Sequence, residues 1–428
     1  MKQILIISYF FPPCELTSSR RTQSWAKELA KLGYDVHVLT RKWDYPVRSF
    51  KDIHLPSSDG KSVSEIDGYK VTAVPYIPNN RDRLLTASKM AFLRKILTVK
   101  ELILQNIFIS SCPFSNVYNE AVRIVKEEKT DLVIISGNPF IQFKFGHHLH
   151  EKFDVKWIAD YRDAWTTSTI NHLGRSVLYK LYQRYDQYFE RKWVRTASLV
   201  TSSSDEIGNS ISDLTGVNSK SIYNGFDENL FDNVQDVEPI SSHFQIVYVG
   251  TLYYGQDVTI FLNAYKRFID QKHPKVQLLF PGLAADPIQL KRIENEMKNY
   301  ESFISISERL PHEEVLKIEK ESHVLLHIAW KEHKGIIASK IYEYMGSGTK
   351  VLVSPGDHGV IDALVTETKI GSICHTTEQV EEFLHNNYAA FLNATKIVPL
   401  LKSNRSIENY TRQSQARELE IEIRKLTD

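Results

Sequence analysis

Cysteine is scarce in this chain. Its three residues, Cys14, Cys112 and Cys374, stand far apart and show no metal-ligand spacing. An odd, sparse set excludes a disulfide framework and a thiolate cluster, and fits a reducing cytoplasm. Charge of one sign is lacking too: 53 basic residues face 52 acidic ones, leaving a net +1. The whole chain therefore carries no electrostatic footprint for nucleic acid. No apolar run approaches the ~20 residues that a spanning helix needs. The opening run ILIISYFF follows a single lysine, has no small-residue cleavage site and breaks at Pro12-Pro13. It reads as a first buried strand, not as a signal segment. Repeats and low-complexity tracts are absent as well.

What is present is a chain of 428 residues, 42% of them hydrophobic, long enough to fill two cores. Lys2 to Phe10 predicts a strand, Phe11 to Arg20 a loop, and Arg21 to Leu32 a helix. That helix has an apolar stripe of Trp25, Leu29 and Leu32 and stops at Gly33. Asp35 to Thr40 predicts the next strand. Strand, helix and strand at this spacing make a βαβ unit, so the sheet is expected to be parallel. The alternation runs on to Asn224. A polar, acidic, proline-bearing linker from Glu228 to His243 precedes a second α/β series, whose strands start at Phe244, Lys275, Phe303 and His323. The fold class is therefore α/β, with two Rossmann-like domains expected at 1–235 and 236–404 and a final helix at 405–428.

Four stretches carry chemistry. In Ile337 to Ser354, IASKIYEYMGSGTKVLVS, Ser339 is expected to cap a helix on which Lys340, Glu343 and Tyr344 share a face. A helix start with a lysine beside a carboxylate suits a nucleoside diphosphate. Backbone N–H groups and the ammonium meet phosphates, and a carboxylate accepts from ribose hydroxyls. DYRDAW, at the end of the strand Val155 to Asp160, places Asp160, Arg162 and Asp163 together; they are expected to form one ion-pair network, pinning the loop or serving a ligand. Ser18, Ser19 and Arg20 follow the first strand, where α/β sheets bind ligands. Asn80 to Ser111 interleaves basic with apolar residues, as a helix pair that is either a solvated face over a core stripe or an interfacial surface for anionic lipid. His323 and His327 read as satisfied core histidines.

KIYEYMGSG, DYRDAW and YNGFD together resemble bacterial retaining glycosyltransferases of family 4. The resemblance spans nearly the whole chain and implies the GT-B fold, with a C-terminal helix crossing back to the first domain. It implies transfer of a sugar from a UDP- or GDP-sugar donor to a glycan or lipid-linked acceptor, with retention, in a cleft between the domains. Gly250 and Thr251 match the donor-phosphate loop, Arg309 and Leu310 the turn against the base, and Glu343 the glutamate near the ribose. Gly335 stands where the family has its other glutamate, and Thr251 and Gln256 where it has an arginine and a lysine. No D-x-D occurs, so neither metal nor cofactor is expected. Lys340 and the helix start then take the phosphates, while Arg162 and Asp163 serve catalysis on the acceptor side. Cytoplasmic location with peripheral contact on the inner membrane face is the matching expectation. A nucleotide-sugar 2-epimerase and a non-catalytic transferase-like subunit are the alternatives.

Overall fold

The computed structural model describes residues 1–14, 16–45, 47, 52–168, 177–232, 234, 242–271, 275–330, 332–333, 335–393 and 405–428. Two compact units result: Met1–Asn224 with Arg412–Asp428, and Gly225–Thr411.

The first unit is built on eight strands: β1 (Gln3–Ser8), β2 (Asp35–Arg41), β3 (Ser62–Ile66), β4 (Tyr69–Val74), β5 (Leu132–Gly137), β6 (Lys156–Tyr161), β7 (Leu199–Ser202) and β8 (Ser219–Ser221). Their order is β3-β4-β2-β1-β5-β6-β7-β8, parallel except where β3 runs against β4. Alternation along β1 explains how both faces are covered. Leu5 and Ile7 enter one core with Val133 and Trp157, while Ile4 and Ile6 enter another with Trp25 and Leu29. The helix Arg412–Thr427 belongs to this second core through Ala416, Leu419 and Ile423.

The second unit carries β9 (Phe244–Val247), β10 (Val276–Pro281), β11 (Ile304–Ser307), β12 (Val324–His327), β13 (Val351–Val353) and β14 (Gly371–Ile373). Their order is β11-β10-β9-β12-β13-β14, and every pairing is parallel. One core gathers Ile246, Leu278 and Leu326 from the sheet with Phe261, Tyr265 and Leu384 from the helices.

Several details differ from the sequence expectation. The units divide at 224/225 and 411/412, against an expected 235 and 404. The reason is local: Phe226 N donates to Tyr410 O at 3.1 Å, and a Cβ on Gly346 would lie 2.8 and 2.5 Å from the rings of Phe226 and Phe231. Much of the expected linker, 233 and 235–241, lies outside the described residues, as does the start of the helix expected from Leu173. The helix Thr17–Lys31 begins ahead of the expected Arg21. β3 and the helix Val360–Thr368 were not expected. Exposed β3 has too little apolar pattern to read, whereas the helix, buried at Ile361, Leu364, Val365 and Thr368, does carry the helical period.

Candidate functional site

In the second unit the strand order reverses between β9 and β12, and open α/β sheets bind ligands outside the carboxyl ends at such a point. The loops there are laced together. Gly250, at φ +78° where a side chain is strained, donates its N–H to Pro281 O at 2.9 Å, and Gly282 donates to Ser307 O at 3.1 Å. The helix Lys340–Ser347 is fastened to the same edge: Tyr344 Oη accepts from Val249 N at 3.0 Å. Lys340 Nζ sits 3.9 Å from the centroid of the Tyr248 ring and donates to Thr251 O at 3.2 Å. Glu343 Oε1 lies 3.3 Å from Nε2 of His312, which opens the helix His312–Glu321 directly after Arg309, Leu310 and Pro311.

Gly250, Thr251, Lys340 and Glu343 thus gather at one edge of the sheet, with exposed Arg309 and half-buried Leu310 just past the end of β11. Ser339 is there too, but its side chain makes no capping hydrogen bond. It adopts helical backbone angles (φ −57°, ψ −26°), and an N-cap acceptor needs extended ones.

The electrostatics of this edge are unusual. Burial pushes the Lys340 pKa down to about 7, against the opposing pull of Glu319 and Glu343. A half-buried lysine against an aromatic face, facing the loop carbonyl, is suited to gain from an anion. His327, at the end of β12, corrects the expectation of a satisfied core histidine. It is 2% exposed, its Nδ1 has no hydrogen-bond partner among the described residues, and burial pushes its pKa to about 3. His323 does meet the expectation, since its Nδ1 accepts from Gln245 N at 3.1 Å.

Gln256 takes a structural part that its place in the phosphate loop did not suggest. Its Nε2 donates to Ile328 O at 2.6 Å, and its Oε1 accepts from Tyr253 N at 2.9 Å and from Tyr248 Oη at 3.2 Å. The side chain ties the loop after β9 to the loop after β12. A cation there would lose these bonds. Sequence reasoning missed Tyr248 altogether; its only signal is an aromatic residue two positions before a strand-ending glycine.

In the first unit the expected network around DYRDAW is two separate features. Asp160 is wholly buried and turns inward. It accepts from Arg21 Nη2 at 2.9 Å, Ser136 Oγ at 2.7 Å and Thr201 Oγ1 at 2.9 Å. Arg21 goes on to donate to Ile222 O at 2.6 Å. Arg162 and Asp163 instead form a pair of their own toward solvent, with Nε to Oδ2 at 2.9 Å. The end of the strand decides this: Asp160 is held within β6, which stops at Tyr161, while Arg162 and Asp163 lie past it in the loop. Behind the loop, Glu190 accepts from Tyr161 Oη at 2.9 Å and from Thr166 N at 3.2 Å, and burial lifts its pKa to about 7. Trp165 stacks on Phe140 at 5.5 Å. DYRDAW is therefore a clamped loop that presents Arg162 and Asp163 outward.

Ser18, Ser19 and Arg20 lie in the first turn of the helix Thr17–Lys31, not in a loop. The Ser19 hydroxyl is buried and donates to Cys14 O at 2.7 Å and Leu16 O at 2.8 Å, which occupies it within the turn. Ser18 and Arg20 are half-buried at the carboxyl end of β1.

Two α/β units with parallel sheets, the second in Rossmann order, define the GT-B class of fold. Residues 232–412 match the family model of glycosyl transferases group 1. Similar structures include a sucrose-phosphate synthase from Thermosynechococcus elongatus, 14% identical, TM-score 0.65, covering 100% of this chain and 99% of that one. HepE from Anabaena, solved with UDP and glucose, is 12% identical with TM-score 0.61, covering 99% of this chain and 100% of its own. An α,α-trehalose 6-phosphate synthase from Burkholderia multivorans is 10% identical with TM-score 0.65, covering 100% of this chain and 99% of that one. No curated protein matches the sequence.

Proposed function

We propose that this chain is a retaining, metal-independent glycosyltransferase. It moves a sugar from a UDP- or GDP-sugar to a glycan or lipid-linked acceptor in bacterial cell-surface polysaccharide synthesis. The observation that carries this reading is the gathering of Lys340, Glu343 and the Gly250–Thr251 turn at the strand reversal of the region that matches glycosyl transferases group 1. Lys340 and the N–H groups opening its helix hold the diphosphate and stabilise charge as it leaves. Glu343 accepts from the ribose, and Arg309 with the Leu310 backbone meets the base. Arg162 and Asp163 act on the acceptor side, and Ser18, Ser19 and Arg20 meet the acceptor or the donor phosphates. HepE, solved with UDP and glucose on the same fold, supports the choice of donor class.

Glu343→Ala tests the donor assignment. Loss of a charged hydrogen bond is expected to weaken UDP or GDP binding by about 1.5–3 kcal/mol in isothermal titration, with the fold intact. An unchanged dissociation constant removes Glu343 from the site. Titration of the wild type separates the readings further, because no binding of UDP- or GDP-sugars favours a non-catalytic subunit. The inward-turned Gln256 is the observation on that side.

Peripheral membrane contact is part of the proposal. No helix among the described residues is long and apolar enough to cross a membrane. The helix Ala91–Ile107 nevertheless turns its apolar stripe outward: Phe92, Ile96, Val99, Ile103 and Ile107 are 41–78% exposed at spacings of three and four. A core-facing stripe would be buried. The helix Val177–Val194 joins it, Tyr185 Oη donating to Ile103 O at 2.6 Å, and adds exposed Val177, Leu178 and Leu181. Arg83 and Lys89, ahead of this helix, and Lys95 and Lys100, on it, are exposed as well. Each basic residue near an anionic surface contributes about 1 kcal/mol. The protein is expected to co-sediment with anionic liposomes at low salt and to be released as salt rises. Arg94→Glu with Lys95→Glu should abolish this and leave nucleotide affinity unchanged. Wild-type protein that ignores the liposomes ends the proposal.

A further inference from the structure

We infer that His358, Asp362 and His375 form a site for one divalent first-row transition ion of borderline softness, of the zinc type. Two imidazole nitrogens and a carboxylate oxygen are the donor set such ions take, with water completing the shell. His358 is on the loop after β13, Asp362 in the first turn of the helix Val360–Thr368, and His375 two residues beyond β14. One ligand atom from each lies within 4.8 Å of the others. The inference concerns a different cluster from the donor residues and does not depend on the transferase reading.

The geometry is close to a coordination shell. Ligands about 2.0–2.1 Å from a tetrahedral ion stand about 3.3–3.4 Å apart. Asp362 Oδ2 and His375 Nε2 are 3.3 Å apart already. His358 Nδ1 is 4.0 Å from the same oxygen. Its ring stacks on that of His375, centroids 3.9 Å apart and planes within 14°. In a stack the lone pairs run side by side, so His358 must swing to converge with its neighbours. It is free to do so, with its side chain 76% exposed.

Asp362 is held for the task. Its Oδ1 accepts from Asp357 N and its Oδ2 from His358 N, each at 3.1 Å, leaving further lone pairs on both oxygens. The packing beneath is tight: a Cβ on Gly356 would fall 2.2 Å from Asp362 Oδ1 and 2.6 Å from His375 Cε1. The positive end of the helix opposes a cation. Two carboxylates offset it, Asp362 itself and Asp357, whose Oδ1 accepts from Gly359 N at 2.8 Å. The ion would clamp the loop after β13 to the end of β14. Pro355, in that loop, accepts from Ala329 N at 3.2 Å, so the clamp borders the segment that follows β12.

Cobalt(II) alone, added to the untagged full chain, tests the site through its visible absorption, and zinc competition through loss of that signal. One equivalent is expected to bind, with the bands of a nitrogen and oxygen donor set. His358→Ala and His375→Ala should each weaken uptake at least about tenfold. Far-UV circular dichroism checks that both variants fold, and the exposed His358 gives a variant that leaves the core alone. No saturable uptake by the wild type overturns the site. So does uptake that persists unchanged in the His358 variant, which would assign the metal to other histidines.

Discussion

Asp160→Ala is expected to destabilise the first unit by about 3–5 kcal/mol, the cost of stripping one partner from a buried ion pair. Arg21 would keep its charge at 3% exposure, answered by Ile222 O, Asn224 Oδ1 and the face of the Trp25 ring but by no carboxylate in its present network. Ser136 and Thr201 would lose their acceptor as well. Against a typical total of about 5–15 kcal/mol, that loss is large. Urea unfolding followed by tryptophan fluorescence reads the right unit, since Trp25, Trp43, Trp157, Trp165 and Trp193 lie in it and only Trp330 in the other. Asp163→Ala supplies the contrast. Its carboxylate is 59% exposed, and surface pairs of this kind contribute about 0–1 kcal/mol. Equal losses in the two variants would show that the buried pair is not what holds the helix Thr17–Lys31 to β5, β6 and β7.

Nucleotide affinity is expected to fall as pH rises through about 7, because Lys340 loses its proton there in the free protein. The sign follows from linkage. Below that value the ammonium is present before the diphosphate arrives, and binding takes up no proton at this group. Above it, the bound phosphates must recruit the proton, so the dissociation constant rises by up to about tenfold per pH unit. Lys340→Met keeps much of the contact with Tyr248 but cannot titrate. It should bind more weakly at neutral pH and show a flatter profile from about pH 7 to pH 9. Isothermal titration with UDP across that range decides the matter. A flat wild-type profile, or the same slope in the variant, would remove Lys340 from the phosphates.

Much of this site was legible because it rests on local spacing. Lys340, Glu343 and Tyr344 share a helical face by the 3.6-residue period alone, and Gly250 announces a turn after a strand. What was not legible depends on partners distant in sequence. Arg21 and Asp160 are separated by |i−j| = 139, and nothing in DYRDAW says that its first aspartate faces inward while its second faces water. Tyr248 and Gln256 likewise acquire their roles only when the loop after β12 is brought beside them. The stripe on Ala91–Ile107 had the right period for a core-facing helix, and only burial shows that it faces out.

Sequence by itself determined the alternation of strands and helices, the parallel sense of the sheets and the position of the glycine turns. Each of these follows from periodicities and backbone preferences that act within a few residues. Tertiary structure alone decided which charges are buried in pairs, which way the apolar helix faces and which histidines stand together. His358 and His375 are brought together by the pairing of β13 with β14, and Asp160 meets Arg21 through the order β1-β5-β6. Strand order is a non-local choice, made by the cores on either face of each sheet, and no stretch of the chain contains it.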